Sequence, residues 1–446
     1  MTQQSTTVPP AIDRDVLYAK VAWRLLPLLM TCYVFAYLDR VNIGFAKAGL
    51  EQDLGINDAR YGFAAGVFFL GYVLFEIPSN LVMTRIGARR TFVRIMVLWG
   101  LAAMGMALVT TPTQLYVVRF LLGVFEAGFA PGMIFFLTLW FPAARMARVM
   151  GLVMLAVPFA SVIGAPLSAA MITGLDGVAG LQGWQWMFLL QGLPCLGLAA
   201  VVARTLADSP REAAWLEPAE KQVIAHDITV VTHSVSGQLR DVLRMPAVYL
   251  MAGAFFAIIG GIYAMNFWLP TILADAGVAD VWLVGVLVAV PYVFAMAGMV
   301  VVSRHSDRTG ERCWHIVVPT LVAAAALGVA AFASSVFVIA YLAIVVGTTA
   351  LFVAYTIFWS VPSSIVTGTA AAAAVAAVNS VGLLGGFFSP TLIGVVREST
   401  GSTRMGLAVM VALLVLAAIL FRAANPPRLP TTPATSDTRP DLGSHA

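Results

Sequence analysis

Charge is scarce in this chain: of 446 residues only 11% are Asp, Glu, Lys or Arg, while 60% are hydrophobic. With a mean hydropathy of +0.90, that composition excludes a water-soluble globular protein, because most of the length must sit in lipid. Cysteine is nearly missing. Cys32, Cys195 and Cys313 are too scattered for a disulfide framework or a metal-ligand set, and they read as packing residues. Histidine is rare too, and His226, His233, His305, His315 and His445 fall in polar loops or at the ends of apolar runs. No nucleophile beside a base, phosphate-cradling loop or metal cluster can be assembled, so neither an enzyme nor a metal or cofactor is expected. The N-terminus lacks the order of a cleavable signal, and the first apolar run is expected to remain as an anchor.

What the chain does have is long apolar runs. Lipid offers no partner to backbone polar groups, so these runs must be helices, and an all-α polytopic membrane protein follows. Windows long enough to cross the hydrocarbon can be placed twelve times, from 23–46 to 405–421. The one long polar stretch divides six spans from six. The expected organisation is a cytoplasmic tail 1–22, a six-helix bundle 23–207, a linker 208–244, a second bundle 245–423 and a disordered tail 424–446. With the N-terminus inside, 20 of the 26 Lys and Arg fall on the cytoplasmic side and four outside, leaving Arg40 and Arg119 within the membrane. That bias puts both termini in the cytoplasm and the protein in the cell inner membrane. Topology also accounts for the net charge of +4, and no nucleic-acid partner is expected.

Paired motifs support the division. Arg85-Ile-Gly87-Ala-Arg89 after the second span recurs as Arg308-Thr-Gly310-Glu-Arg312 after the eighth, and Asp307 precedes the second copy where Thr84 precedes the first. This loop pattern on a six-plus-six chain resembles the major facilitator superfamily. Within it, five further stretches resemble the anion:cation symporter family: Tyr37-Leu-Asp39-Arg40-Val-Asn42-Ile-Gly44; Gly71-Tyr72 through Glu76, Pro78 and Asn80; Arg119 through Gly123, Glu126 and Gly128; Gly183-Trp184-Gln185-Trp186; and Phe358-Trp359-Ser360 with Asn379-Ser380. The resemblance implies a major facilitator fold, a monomer in lipid, and transport of a small organic anion such as tartrate, a sugar acid or phthalate. It also implies that Asp39, Arg40, Arg119 and Glu126 serve coupling and anion binding, and that Tyr72, Thr356, Trp359 and Asn379 line the site. Thr84 in place of an acid predicts a weaker inter-helix lock at Arg85 than at Arg308.

Ionised groups at bilayer depth are costly unless paired or facing water, so each needs a reason. Counting about 1.5 Å per residue, Asp39 and Arg40 lie about 10 Å below the outer surface, Arg119 about 6 Å and Glu126 about 16 Å. Arg119, Gly123 and Glu126 share one helical face, which Gly123 is expected to keep open, while Asp39 points about 100° away from Arg40. A guanidinium can hold a carboxylate in a two-pronged pair, so Arg40 or Arg119 is the expected anion clamp. Asp39 and Glu126 are the expected proton carriers: protonation removes an internal carboxylate that competes for the arginine. Glu76, in a Tyr72, Glu76, Asn80 stripe, reads as a gating or helix-packing group. The second half offers no charge at that depth. Asn266, Thr356, Trp359, Asn379 and Ser380, with Tyr37 and Tyr72 from the first half, complete a neutral pocket. The expected function is proton-coupled symport, driven by the proton gradient without a cofactor. The competing expectation is a proton-driven efflux antiporter, whose Gly-Pro motif is only half present at Gly164-Ala-Pro166.

Overall fold

The computed structural model describes residues 12–229, 245–333, 336–361 and 369–424. Every regular element among them is helical, and twelve helices are long and apolar enough to cross a membrane. The first half holds span one (Arg14–Leu54), two (Asp58–Ile86), three (Ala88–Leu108), four (Pro112–Thr138), five (Ala143–Gly174) and six (Gly183–Thr205). The second holds span seven (Pro246–Asp275), eight (Val281–Thr309), nine (Cys313–Phe332), ten (Phe337–Phe358), eleven (Ala374–Thr400) and twelve (Thr403–Ala424). Across the seam span two packs on eleven, five on eight, and the end of span one on seven.

Helices extend past the apolar windows because polar caps satisfy their ends. Span one starts at Arg14, not near residue 23, since the Asp13 carboxylate accepts from the backbone N–H groups of Asp15 at 2.8 Å and Val16 at 3.4 Å. Of the expected 1–22 tail, residues 1–11 lie outside the described residues, as do 425–446 of the other tail and 230–244 of the linker. The described part of the linker, 208–229, packs against the first bundle. Its helix Pro218–Thr229 docks on the foot of span one, where Arg14 donates to Asp227 from Nε at 3.1 Å and Nη2 at 3.0 Å. Tyr18 donates to the same carboxylate at 3.1 Å, and Lys20 meets Glu220 at 2.8 Å. Trp215 stacks on Trp140 with centroids 5.6 Å apart. Burial opposes ionisation of Asp227, yet hydrogen bonds from Arg14, Tyr18 and His226 outweigh it and hold the pKa below its ordinary 3.8. Glu220 is likewise held below 4.5, the bond from Lys20 and a backbone N–H overcoming desolvation.

Three spans are interrupted along their length, span five at Leu155 between Ala143–Met154 and Ala156–Gly174. Span one is interrupted at Asn42, between Arg14–Val41 and Ile43–Leu54. Span four breaks just after Glu126, where Gly128 takes φ 89°, a left-handed conformation that favours glycine. Gly123 does not keep a face open: a Cβ there would collide with Phe68 O, so the glycine lets spans two and four touch.

At the end of the bundle carrying Lys47, the halves are clasped by charge. Asp58 pairs with Lys47 of its own half at 2.8 Å and with Arg397 of the other at 2.9 Å. Lys47 also meets Glu51 at 2.5 Å, Arg397 meets Asp275, and Glu398 accepts from the Asp58 N–H at 3.1 Å. Trp268 lies under both cations, 5.5 Å from Lys47 and 5.9 Å from Arg397.

Candidate functional site

Below that clasp lies a cluster of buried polar groups at the seam. Arg40 is 5% exposed, and its guanidinium is shared between the halves. Nη2 donates to Glu126 Oε1 of span four, and Nη1 donates to the Tyr263 hydroxyl of span seven at 2.7 Å. The rings of Tyr37, Phe68 and Tyr72 surround it at 5.6, 5.1 and 5.2 Å. Glu126 stands at the C-terminal end of Pro112–Glu126, where the helix breaks, and its Oε2 has no partner among the described residues. Arg40 Nε is also without a partner.

Arg119 is differently engaged. Its Nε donates to Ala64 O, and Nη2 donates to Ala65 O and Arg40 O, all at 3.3 Å, with the Phe68 ring 5.4 Å away. These partners belong to spans one and two, so this guanidinium ties helices of one half together. The sequence left Arg40 and Arg119 as equal choices for an anion; Arg40 is the one that reaches the seam.

Asp39 turns away from Arg40, as the helical angle requires. Its Oδ2 accepts from Trp99 Nε1 and from the Cys195 thiol, each at 3.2 Å, between spans three and six. Cys195 is thus a hydrogen-bond donor to a buried carboxylate, not a packing residue alone.

Beside Arg40 a chain of neutral groups crosses the seam. Asn266 Nδ2 donates to the Tyr37 hydroxyl at 3.0 Å, and Asn266 Oδ1 accepts from Tyr292 at 2.8 Å and Ser161 at 3.5 Å. Toward the linker end, Asn379 donates to Glu76 Oε1 at 2.7 Å, joining spans eleven and two. Thr356 bonds back to Phe352 O of its own helix at 2.8 Å. Trp359 packs edge-on against Phe255 at 4.9 Å, and Ser380 is half-buried.

The loop motifs carry their bonds on neighbours of the residues first singled out. Arg85 and Arg308 are both exposed and make no ion pair among the described residues, so the expected contrast in lock strength between them has no such pair behind it. In the first copy, Gly87 (φ 88°) opens span three, and Asp208 accepts from the Arg89 N–H at 2.6 Å. In the second, Asp307 pairs with Arg312 at 2.5 Å beside Gly310 (φ 64°). Tyr263, Trp99, Cys195 and Asp58 were not anticipated. Tyr263 stands one turn before Asn266 on the same face, a spacing that was available to find it.

Twelve membrane helices lie in two packed halves with an ion pair on the seam, and the Major Facilitator Superfamily profile matches residues 29–390. The chain belongs to the Major Facilitator Superfamily. NicT of Pseudomonas putida, named a metabolite transport protein, is 40% identical over 94% of this chain and 97% of its own. A protein of Agrobacterium vitis named for tartrate transport is 42% identical over 90% of this chain and 89% of its own. A quinolone resistance transporter of Acinetobacter baumannii is 38% identical, covering 92% and 94%. The inward-open xylose transporter XylE of E. coli shares the fold, with TM-score 0.74, 14% identity and coverage of 94% and 98%. These relatives agree with membership of an anion:cation-symporter-like branch. The family and its structural neighbours are multi-pass membrane transporters of small substrates, not enzymes.

Proposed function

We propose that this protein imports a small organic carboxylate together with protons by alternating access, using the proton gradient and no cofactor. It does so as a monomer in the cell inner membrane, with both termini cytoplasmic. One observation carries the reading: below the clasp, among the described residues, the guanidinium that reaches the buried seam is that of Arg40, occupied by an internal carboxylate, Glu126, and hydrogen-bonded to Tyr263 of the other half. A substrate carboxylate must displace Glu126. Protonating Glu126 removes its charge and releases Arg40, so proton and substrate each favour binding of the other, reciprocally. Asp39, held by Trp99 and Cys195 on the far side of the helix, is the second proton carrier. The bias of 20 basic residues against four supports the orientation, and the relative named for tartrate supports the substrate class.

The test is transport in liposomes holding the purified chain, with tartrate, gluconate, benzoate and phthalate as probes and an internal pH dye as readout. Adding a transported acid outside should acidify the interior. Glu126→Gln should abolish accumulation driven by a pH gradient while sparing counterflow of labelled substrate. Undiminished gradient-driven accumulation by that variant would end the proposal.

A second reading, proton-driven efflux, is favoured by the quinolone resistance relative. A fixed cation at the seam suits an anion, in either direction. Right-side-out and inverted vesicles separate the two, since import and export require gradients of opposite sign.

A further inference from the structure

We infer that Glu76 carries a proton through the transport cycle, holding it while the seam between spans two and eleven is shut and giving it up to the cytoplasm when that seam opens. This rests on the reading of proton-coupled symport and adds a group to its coupling machinery.

Among the described residues three acids are buried in the membrane helices, Asp39, Glu76 and Glu126. Asp39 is bonded to Trp99 and Cys195, and Glu126 to Arg40, all within the first half. Glu76 is the one bonded to the other half, its Oε1 accepting from Asn379 of span eleven at 2.7 Å. Counting about 1.5 Å per residue along span two, it lies about 15 Å from the end at Ile86 and about 27 Å from the end at Asp58. On the clasp side the same two helices meet through glycines: a Cβ at Gly62 would collide with Pro390 O, and one at Gly66 with Phe387 O. Toward the cytoplasm a hydrogen bond between side chains, Asn379 to Glu76, spans them instead.

The proton follows from what surrounds that carboxyl. Glu76 is 6% exposed, makes no ion pair among the described residues, and leaves Oε2 without a partner there. Arg40 of span one is within electrostatic range but is already engaged by Glu126 of span four and Tyr263 of span seven. Arg119 of span four is held by backbone carbonyls. On span two itself the Tyr72 hydroxyl is near, one turn back. Arg94 of span three donates to Ser79 at 3.0 Å, not to Glu76. Span eleven carries no charge except Arg397 and Glu398 at the clasp, and the second part of span four, Phe129–Thr138, has none. An ion left dry with one amide donor is costly, because one hydrogen bond offsets only part of the lost hydration. A neutral acid in the same place keeps the bond from Asn379 and leaves no charge. Parting spans two and eleven admits water from the cytoplasm and hydrates the carboxyl, so its O–H bond breaks and the proton passes to water. Proton binding and closure of this seam then favour each other, reciprocally.

Two measurements on the full chain in liposomes test this, with Glu76→Gln fixing the neutral form while keeping an oxygen for Asn379. In infrared difference spectra between acidic and alkaline buffer, without substrate, the wild type is expected to show a carboxylic-acid C=O band that Glu76→Gln lacks and Glu126→Gln retains. With tartrate, gluconate, benzoate and phthalate as probes, protons carried per anion are read at zero membrane potential from the pH gradient that just balances the anion gradient. That ratio is expected to fall by one in Glu76→Gln while counterflow of labelled anion persists. A packing role for Glu76 would change rate or stability and leave the ratio alone. Glu76→Asp, which keeps the acid, should retain both the band and the ratio, and losing either counts against the proposal. An unchanged spectrum or ratio in Glu76→Gln, or loss of counterflow in a variant that elutes as a monodisperse peak, overturns Glu76 as a proton carrier and leaves carboxylate symport standing. No proton movement with any of the four probes in the wild type overturns symport and this role with it.

Discussion

Arg40 can be tested apart from its charge. Lysine keeps the cation but loses the planar fork that lets one nitrogen hold Tyr263 while another holds a carboxylate. Arg40→Lys is therefore expected to lower kcat/KM for uptake by at least about tenfold, a loss of about 1.4 kcal/mol in transition-state stabilisation, measured by initial rates in liposomes. Tyr263→Phe removes only the hydroxyl on Arg40 Nη1. It is expected to weaken substrate binding severalfold and leave the pH dependence set by Glu126 in place, whereas Glu126→Gln should flatten that dependence. Both charges were legible in the sequence, because an arginine and an acid inside apolar helices stand out. Their pairing was not: the depth count gave two rungs of a ladder, and long side chains closed the gap. Tyr263 escaped because a tyrosine in an apolar helix looks like packing until its hydroxyl is seen on the guanidinium.

Helix lengths and joints follow local rules that the sequence carries unevenly. A glycine with φ 89° marks the interruption at Gly128, whereas the break at Asn42 falls on a residue that is neither glycine nor proline. Gly123 was misread for a physical reason: helical periodicity shows which residues share a face but not what presses on it. Gly123→Leu is expected to push spans two and four apart, lowering the thermal midpoint in detergent and impairing uptake, with a cost of about 1–3 kcal/mol typical of overpacking. Asp208→Asn should be milder, about 1 kcal/mol or less, since an amide oxygen still accepts from the Arg89 N–H. The docked linker helix supplies a pH test. Asp227 and Glu220 have pKa values below their unfolded ones, so their stabilisation is complete above pH about 4–5 and fades as pH falls through the folded values. Protease cleavage within Pro218–Thr229 should accelerate below about pH 4 and stay flat from neutrality upward.

The twelve-span plan was legible throughout, since hydropathy and the placement of basic residues fix membrane proteins more tightly than propensity fixes soluble ones. The clasp between the halves was not. Lys47 and Arg397 lie 350 residues apart in the sequence, and only folding brings both to Asp58 from separate halves. Asp58→Asn should loosen that end: cysteines introduced at Glu51 and Glu398 would show a longer average separation by spin-label measurement, and the shift should grow with added salt if the weakened charge pairing is the cause. The bundle is also lopsided, with Asp39, Arg40, Glu76, Arg119 and Glu126 all in the first half and, among the described residues, neutral groups facing them from the second. Under the proposed coupling, a chimaera joining residues 1–229 of this chain to the second half of a relative should still require Arg40 and Glu126 for uptake, and change only those solute preferences that the neutral groups of the second half set, leaving evolution free to adjust diet without rebuilding the engine.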